Sequence, residues 1–164
     1  MEKLKIGTVI ISKQGEDSQN YQNFKKIVKE KKIKVKVVSK EDILKIEKDL
    51  YFDILWPNSQ NLIKENILNN NSIVCKLNYK TFSMIFTGDI EEIAEKQILK
   101  EYKDNIKIIN STILKVGHHG SKTSSTEEFI KAVNSKIALI GVGENNKFGH
   151  PNDSVLKRLE NFRM

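Results

Sequence analysis

Three short segments end an apolar run in side chains that can bind a metal ion. They read FTGDI at 86–90, KVGHHGS at 115–121 and NKFGHP at 146–151. Their carboxylate and imidazole groups are ligands that zinc or manganese takes. Loops at strand ends are where functional sites usually lie. The sequence therefore predicts a candidate divalent-metal site built from Asp89, His118, His119 and His150.

Each of these residues also has a purely structural interpretation. Asp89 is followed three residues later by Glu92, the spacing of a capping box at the start of a helix. The two adjacent histidines, His118 and His119, can be exposed side chains in a turn between glycines. His150 can be a loop residue held in extended geometry by the following proline.

Strand alternation favours an inward position for one of the paired histidines. Leu114, Val116 and His118 share a parity, and the first two are apolar, so we expect the third to point inward. A buried imidazole requires a partner, which a metal ion or a carboxylate supplies.

The segment SKTSSTEE, from Ser121, is typical of a helix start. Ser125 and Glu128 have the spacing of a second capping box. Lys122 and the neighbouring hydroxyls, beside unpaired amides at a helix N-terminus, would also suit a phosphate group.

Strands and helices that position these loops can be read from apolar periodicity. Adjacent strands at 72–80 and 81–87 predict a hairpin with its corner at 78–81. The fold class is therefore α/β or α+β around one core. Further strands are predicted at 4–12, 33–38, 50–56, 106–116 and 136–142, and helices around residues 21–28, 90–99, 129–133 and 155–162.

Composition limits the classes that remain. The 164 residues suffice for one domain. A formal net charge of +7 favours acidic partners such as nucleic acid. One cysteine, Cys75, excludes a disulfide framework and fits a reducing compartment. No apolar run is long enough to cross a bilayer, so we expect a soluble, cytoplasmic chain.

Taken together, these segments resemble the C-terminal part of the metallo-β-lactamase-fold domain of the ComEC family, competence proteins of DNA uptake. The resemblance rests on DILWP at 53–57, NNNSIVCKL at 69–77, FSMIFTGDI at 82–90, LKVGHHGSKTSS at 114–125 and ALIGVGENNKFGHP at 138–151. It implies an αββα sandwich, a site with two zinc or manganese ions, and DNA as substrate.

The resemblance also implies roles for individual residues. The TGD aspartate, Asp89, would bridge two metal ions, and His118 or His119 would bind one of them. The parity argument favours His118 as ligand, with His119 facing substrate, so Asp89 and His119 are the expected catalytic residues. Ser121, Lys122 and His150 are expected at the substrate-binding rim.

The chain departs from the family pattern in one respect. No HxH or DH pair occurs in it, whereas the complete family domain has an HxHxDH cluster and N-terminal strands. We therefore expect residues 1–164 to be a single truncated domain, inactive alone, with exposed apolar edges that favour self-association or a complementing chain. Full family members are integral membrane proteins, so contact with a membrane is expected only through such a parent.

Two functional hypotheses follow. The first is the ligand-poor part of a metal-dependent phosphodiesterase or nuclease of the DNA-uptake type. The second is a basic DNA-binding or vestigial module without catalysis. Another hydrolase of the same fold is a third alternative, because this fold serves many substrates.

Overall fold

The fold was obtained as a computed structural model, which describes residues 5–13 and 18–164. The 3₁₀ segment Lys103–Ile109 and the tight turn Gly117–Gly120 interrupt the regular elements. Strands and helices follow in the order β1 Thr8–Ser12, α1 Gln19–Glu30, β2 Lys34–Val38, β3 Ile43–Glu47, β4 Leu50–Trp56, α2 Ile67–Asn70, β5 Val74–Tyr79, β6 Phe82–Phe86, α3 Glu92–Glu101, β7 Ile113–Lys115, α4 Glu127–Val133, β8 Ile137–Leu139 and α5 Asp153–Asn161.

A six-stranded sheet in the order β3-β4-β5-β6-β7-β8 forms the centre of the fold. Its first four strands pair antiparallel, whereas β6, β7 and β8 are parallel. The connections between the parallel strands contain α3 and α4. Since parallel strands end at the same edge, the segments that follow β6, β7 and β8 lie side by side. These are the segments that contain the predicted site residues.

One face of this sheet carries the hydrophobic core. Ile85 of β6 and Leu114 of β7 are at most 1% exposed and belong to the same buried cluster as Ile98 of α3 and Phe129 of α4. Helix α5 adds Val155 to this cluster. The apolar stripes predicted for these helices are thus explained by burial against the sheet.

The opposite face of the sheet is apolar but much less covered. Leu77 pairs with Met84, and Met84 pairs with Ile113, so these side chains share that face. Toward its ends the face is open, with Tyr79 41% and Ile137 47% exposed.

The strands β1 and β2 form a separate parallel pair. Val35 and Val37 of β2 are 40% and 52% exposed, so the apolar side of this strand is largely open to solvent. Helix α1, which connects the two strands, contains no buried residue. This layer therefore adds little to the core.

The mixed α/β class and most predicted elements are confirmed. The hairpin closes at Lys80 and Thr81, because Tyr79 pairs with Phe82. The prediction of a strand over 106–116 is wrong in its first half, where the chain forms the 3₁₀ segment Lys103–Ile109. Strand β3 and helix α2 were not predicted.

The alternative interpretation of Asp89 as a helix cap and the predicted capping box at Ser125 do not match the structure. Helix α3 begins after Glu91, two residues beyond Asp89. Helix α4 begins after Thr126, whose side chain accepts a hydrogen bond from the Phe129 amide. Ser125 is not the cap and has a positive φ of 56°.

No helix within residues 5–13 and 18–164 is long and apolar enough to span a membrane.

Candidate functional site

The turn after β6 brings Asp89 to the edge of the sheet. Gly88 has a φ of +56°, and a Cβ atom there would lie 2.7 Å from the Cβ of Ser72. A side chain at this position is therefore excluded both by conformation and by space. The Asp89 amide donates to the Ser72 hydroxyl at 3.3 Å. Its carboxylate stays 47% exposed, free to meet a ligand.

The turn after β7 holds both adjacent histidines in left-handed conformation. His118 and His119 have φ values of 45° and 55°, which are uncommon for residues with a side chain. The His118 amide donates to the Gly88 carbonyl at 3.0 Å, and its own carbonyl accepts from the Ser121 amide at 2.8 Å. These contacts fix the turn against the loop that contains Asp89. Backbone strain of this kind is often found at functional sites.

Because β7 ends at Lys115, the strand alternation used to orient His118 does not extend to it. His118 is nevertheless the more buried of the pair, with a side chain 24% exposed against 53% for His119.

His119 faces Asp89 across a short gap. Its Nδ1 lies 2.6 Å from the carbonyl oxygen of Gly141, which can only accept, so Nδ1 donates the hydrogen bond. In the neutral ring Nε2 then carries a lone pair, and it lies 3.7 Å from Asp89 Oδ1. Two electron-pair donors that face each other can bind a metal cation between them.

The distance between these two atoms is close to what one metal ion requires. With metal–ligand distances near 2.1 Å, two tetrahedral ligands lie about 3.4 Å apart. A shift of a few tenths of an ångström from the present 3.7 Å reaches that value. Asp89 and His119 therefore fit two ligand positions of a divalent-metal centre.

His118 lies against Glu91, a residue that the sequence interpretation did not include. Its Nδ1 is buried without a hydrogen-bond partner and lies 3.4 Å from Glu91 Oε1. An adjacent carboxylate favours the tautomer with the proton on Nδ1, which leaves Nε2 as the free ligand atom.

The Glu91 carboxylate is itself held by side chains from two separate segments, the start and end of α2 and the loop before α4. Asn66 and Asn70 donate to Oε2 at 2.9 and 3.3 Å, and the Thr123 hydroxyl donates to Oε1 at 3.1 Å. This network fixes the carboxylate beside the imidazole of His118.

His150 approaches the site from the loop after β8. Its ring centroid lies 5.8 Å from that of His118, and its Nδ1 is buried without a hydrogen-bond partner. The Asn146 side chain holds this loop, since its Oδ1 accepts from the His150 amide at 3.0 Å and its Nδ2 donates to the His150 carbonyl at 2.7 Å.

The two remaining predicted residues, Ser121 and Lys122, differ in solvent exposure. Ser121 is 6% exposed, and its hydroxyl is within 3.0 Å of the Thr123 hydroxyl. Lys122, in contrast, is exposed and lines a cleft of about 560 Å³ together with Glu91 and Thr123.

Two of the amides just before α4, where a phosphate group was considered, already have acceptors. Those of Ser125 and Thr126 donate to the two carboxylate oxygens of Glu95, a side chain only 1% exposed. Burial raises the pKa of Glu95 above its usual range, although the two amides act in the opposite direction. Glu95 therefore anchors the loop that follows the histidine pair.

Within the described part of the chain, no three His, Cys, Asp or Glu side chains converge closely enough to hold a metal ion. The structure thus brings together Asp89 with His119, and His118 with Glu91 and His150, as two adjacent groups.

The geometry is that of an α/β protein whose polar groups lie at the ends of parallel strands. Sequence comparison indicates the protein family. ComE operon protein 3 of Bacillus subtilis is 36% identical over 132 residues, 80% of this chain. Competence protein ComA of Neisseria gonorrhoeae is 31% identical over 108 residues, 66% of the chain. Recombination protein 2 of Haemophilus influenzae is 33% identical over 114 residues, 70% of the chain.

These relatives indicate a family of competence proteins. The match spans 16%, 15% and 13% of the lengths of the three relatives, respectively. No protein-family model matches the chain.

Proposed function

We propose that this chain is the C-terminal part of a metallo-β-lactamase-fold domain from a DNA-uptake protein. In this proposal the six-stranded sheet with α3 and α4 is one half of an αββα sandwich, and β1 and β2 belong to the second sheet. The competence names of the relatives and the TGD, HHGSKTSS and GHP motifs support this assignment.

The proposed activity is metal-dependent hydrolysis of a phosphodiester bond in DNA. The observation that carries it is the His119–Asp89 pair. His119 Nε2 and Asp89 Oδ1 face each other at 3.7 Å, while His119 Nδ1 donates a hydrogen bond to the Gly141 carbonyl. Such a pair is suited to a zinc or manganese ion.

Each residue has a distinct role in this proposal. Asp89 and His119 hold the ion, and His118 offers Nε2 while Glu91 fixes its tautomer. Lys122 and His150 contact the substrate at the rim. A divalent ion at such a site supplies Lewis acidity toward the phosphoryl group. Further ligands come from another segment or another chain, because the described residues hold no three-ligand group.

A second candidate function is DNA binding without hydrolysis. The net charge of +7 and the lack of a three-ligand group among the described residues favour it. Charge-driven association weakens steeply as the salt concentration rises. The binding affinity falls by about a factor of ten or more for each few-fold increase in salt concentration. A binding titration at several salt concentrations would measure this dependence.

The experiment that tests the proposed function is the metal content per chain, measured by plasma mass spectrometry on protein purified without a histidine tag. We expect zinc or manganese in the wild type and its loss in Asp89→Ala and His119→Ala. Asp104→Ala, which removes an exposed carboxylate outside the site, serves as the matched control and should retain the metal. Equal metal in all four proteins, or none in the wild type, would contradict the proposal.

A further inference from the structure

Phe148 is an exposed aromatic side chain beside the candidate site. It is 82% exposed, the highest value among the large hydrophobic residues that the structure describes. Its position in the GHP loop leaves a full ring face open to solvent. Burial in the core does not explain this residue.

The ring is nevertheless held in a defined position. It lies nearly parallel to the imidazole of His150, with an interplanar angle of 20° and centroids 5.9 Å apart. The Phe148 amide donates to Asn146 Oδ1 at 3.2 Å, the same oxygen that accepts from the His150 amide. One asparagine therefore restrains the backbone at both Phe148 and His150, which reduces the conformational entropy that this loop loses on binding.

This aromatic pair is continuous with the candidate site. Phe148, His150 and His119 line a common hollow of about 190 Å³. On its inner side, His150 meets the ring of His118 edge to face at 5.8 Å. A ligand stacked on Phe148 would thus have its next polar group near Asp89 and His119.

We propose that Phe148 is a stacking platform for a nucleobase of single-stranded DNA, which positions the adjacent phosphodiester at the histidine cluster. This inference rests on the proposed function in taking DNA as the ligand. Aromatic side chains on positively charged surfaces bind single strands in this way, because every base offers a π-face while the backbone supplies the charge attraction. Lys147, which precedes Phe148 in the sequence, is exposed and adds a cation to the same loop.

The test measures the affinity of the full chain for a short oligothymidylate and for an abasic oligonucleotide of equal length, in EDTA. We expect wild type to prefer the base-bearing strand and Phe148→Ala to bind it about 5- to 150-fold more weakly. Affinity for the abasic strand should be nearly unchanged. Phe148→Tyr should restore the preference, whereas Phe148→Leu should not, because it keeps apolar area without a π-face.

Ile46→Ala, which truncates a 60% exposed side chain on β3, is the control and should bind as wild type. Wild-type protein without preference for the base-bearing strand, or Phe148→Ala with unchanged affinity, would overturn the proposal. Because EDTA removes divalent metal, the result is independent of hydrolysis. Base-dependent binding in a chain that holds no metal would leave the platform in place and remove the proposed catalysis.

Discussion

The region of β5 to β8 with α3 and α4 differs sharply from the layer of β1, α1 and β2. In the first region, Ile98 and Phe129 are at most 1% exposed. In the second, Val37 is 52% exposed and α1 buries no residue. All the candidate site residues follow strands of the first region. The well-packed region therefore positions the site, and the open layer does not.

The difference has a topological cause. Parallel strands are usually covered on both faces, and here β6, β7 and β8 receive α3, α4 and α5 on one face. The two-stranded pair β1 and β2 is too small to bury its apolar side chains by itself. Substitutions in the two regions should therefore have very different costs.

The largest contrast is expected between a core and a surface truncation. Phe129→Ala should lower the free energy of unfolding by about 3–5 kcal/mol, because it leaves a cavity under the sheet. Val37→Ala should change it by less than about 0.5 kcal/mol. Urea unfolding followed by circular dichroism measures both values. Similar losses for the two variants would contradict the division into two regions.

A smaller loss is expected at Glu95, which links α3 to the loop before α4. Glu95→Ala leaves the amides of Ser125 and Thr126 without their acceptors, and each unsatisfied buried amide costs about 1–3 kcal/mol. For the two amides together we expect a loss of at least about 2 kcal/mol in urea unfolding. The matched control Glu92→Ala removes an exposed carboxylate on the same helix and should cost far less, because exposed ion pairs contribute little to stability. A loss at Glu95 no greater than at Glu92 would refute the anchoring role.

The pH dependence of stability sharpens the same prediction. Burial raises the pKa of Glu95 in the folded state above its ordinary value of 4.5, so the folded chain binds the proton more tightly than the unfolded chain. This contribution is fully present below pH 4.5 and is lost as pH rises through the folded-state pKa. The stability of wild type relative to Glu95→Gln should therefore decrease with rising pH over that window. An increase would show that the pKa of Glu95 is lowered instead.

The smallest effect on stability is expected for Glu91→Gln, which keeps the shape of the side chain. The change removes the carboxylate that lies 3.4 Å from His118 Nδ1, so the population of the Nδ1–H tautomer should fall. Nitrogen-15 NMR of the imidazole ring reports this population directly. Glu65→Gln, an exposed site in the same cleft, should leave the His118 signals unchanged. An unaltered tautomer in Glu91→Gln would exclude the positioning role.

Local patterns predicted much of this fold because they coincide with tertiary burial. The hairpin of β5 and β6 followed from two short apolar runs and a polar corner, and its pairing from Tyr79 to Phe82 agrees. The isoleucines within Lys103–Ile109 also suggested a strand, but there the chain turns in a 3₁₀ segment between α3 and β7. Helix α2 has only four residues and lacks a side-chain cap, so it left no local signal.

The site was predictable by residue type and only partly by geometry. Asp89, His118 and His119 follow apolar runs whose strands are neighbours, which places them at one edge of the sheet. The contact between Glu91 and His118 depends on Asn66, Asn70 and Thr123, which come from distant segments. The prediction of a capping box at Ser125 was wrong for the same reason, because Glu95 of α3 accepts the hydrogen bond of the Ser125 amide. The one sign of this network in the sequence was the acidic residue Glu91, two positions after Asp89.

The most direct test of the central claim is a zinc titration followed by nitrogen-15 NMR of the histidine side chains. We predict that the nitrogen-15 signal of His119 Nε2 shifts on zinc addition. The Nδ1 atom, which is hydrogen-bonded to the Gly141 carbonyl, should keep its proton. The shift should be lost in Asp89→Asn and retained in Asp104→Asn. If zinc leaves Nε2 of His119 unperturbed, or perturbs it equally in Asp89→Asn, the pair is not a metal site and the account fails.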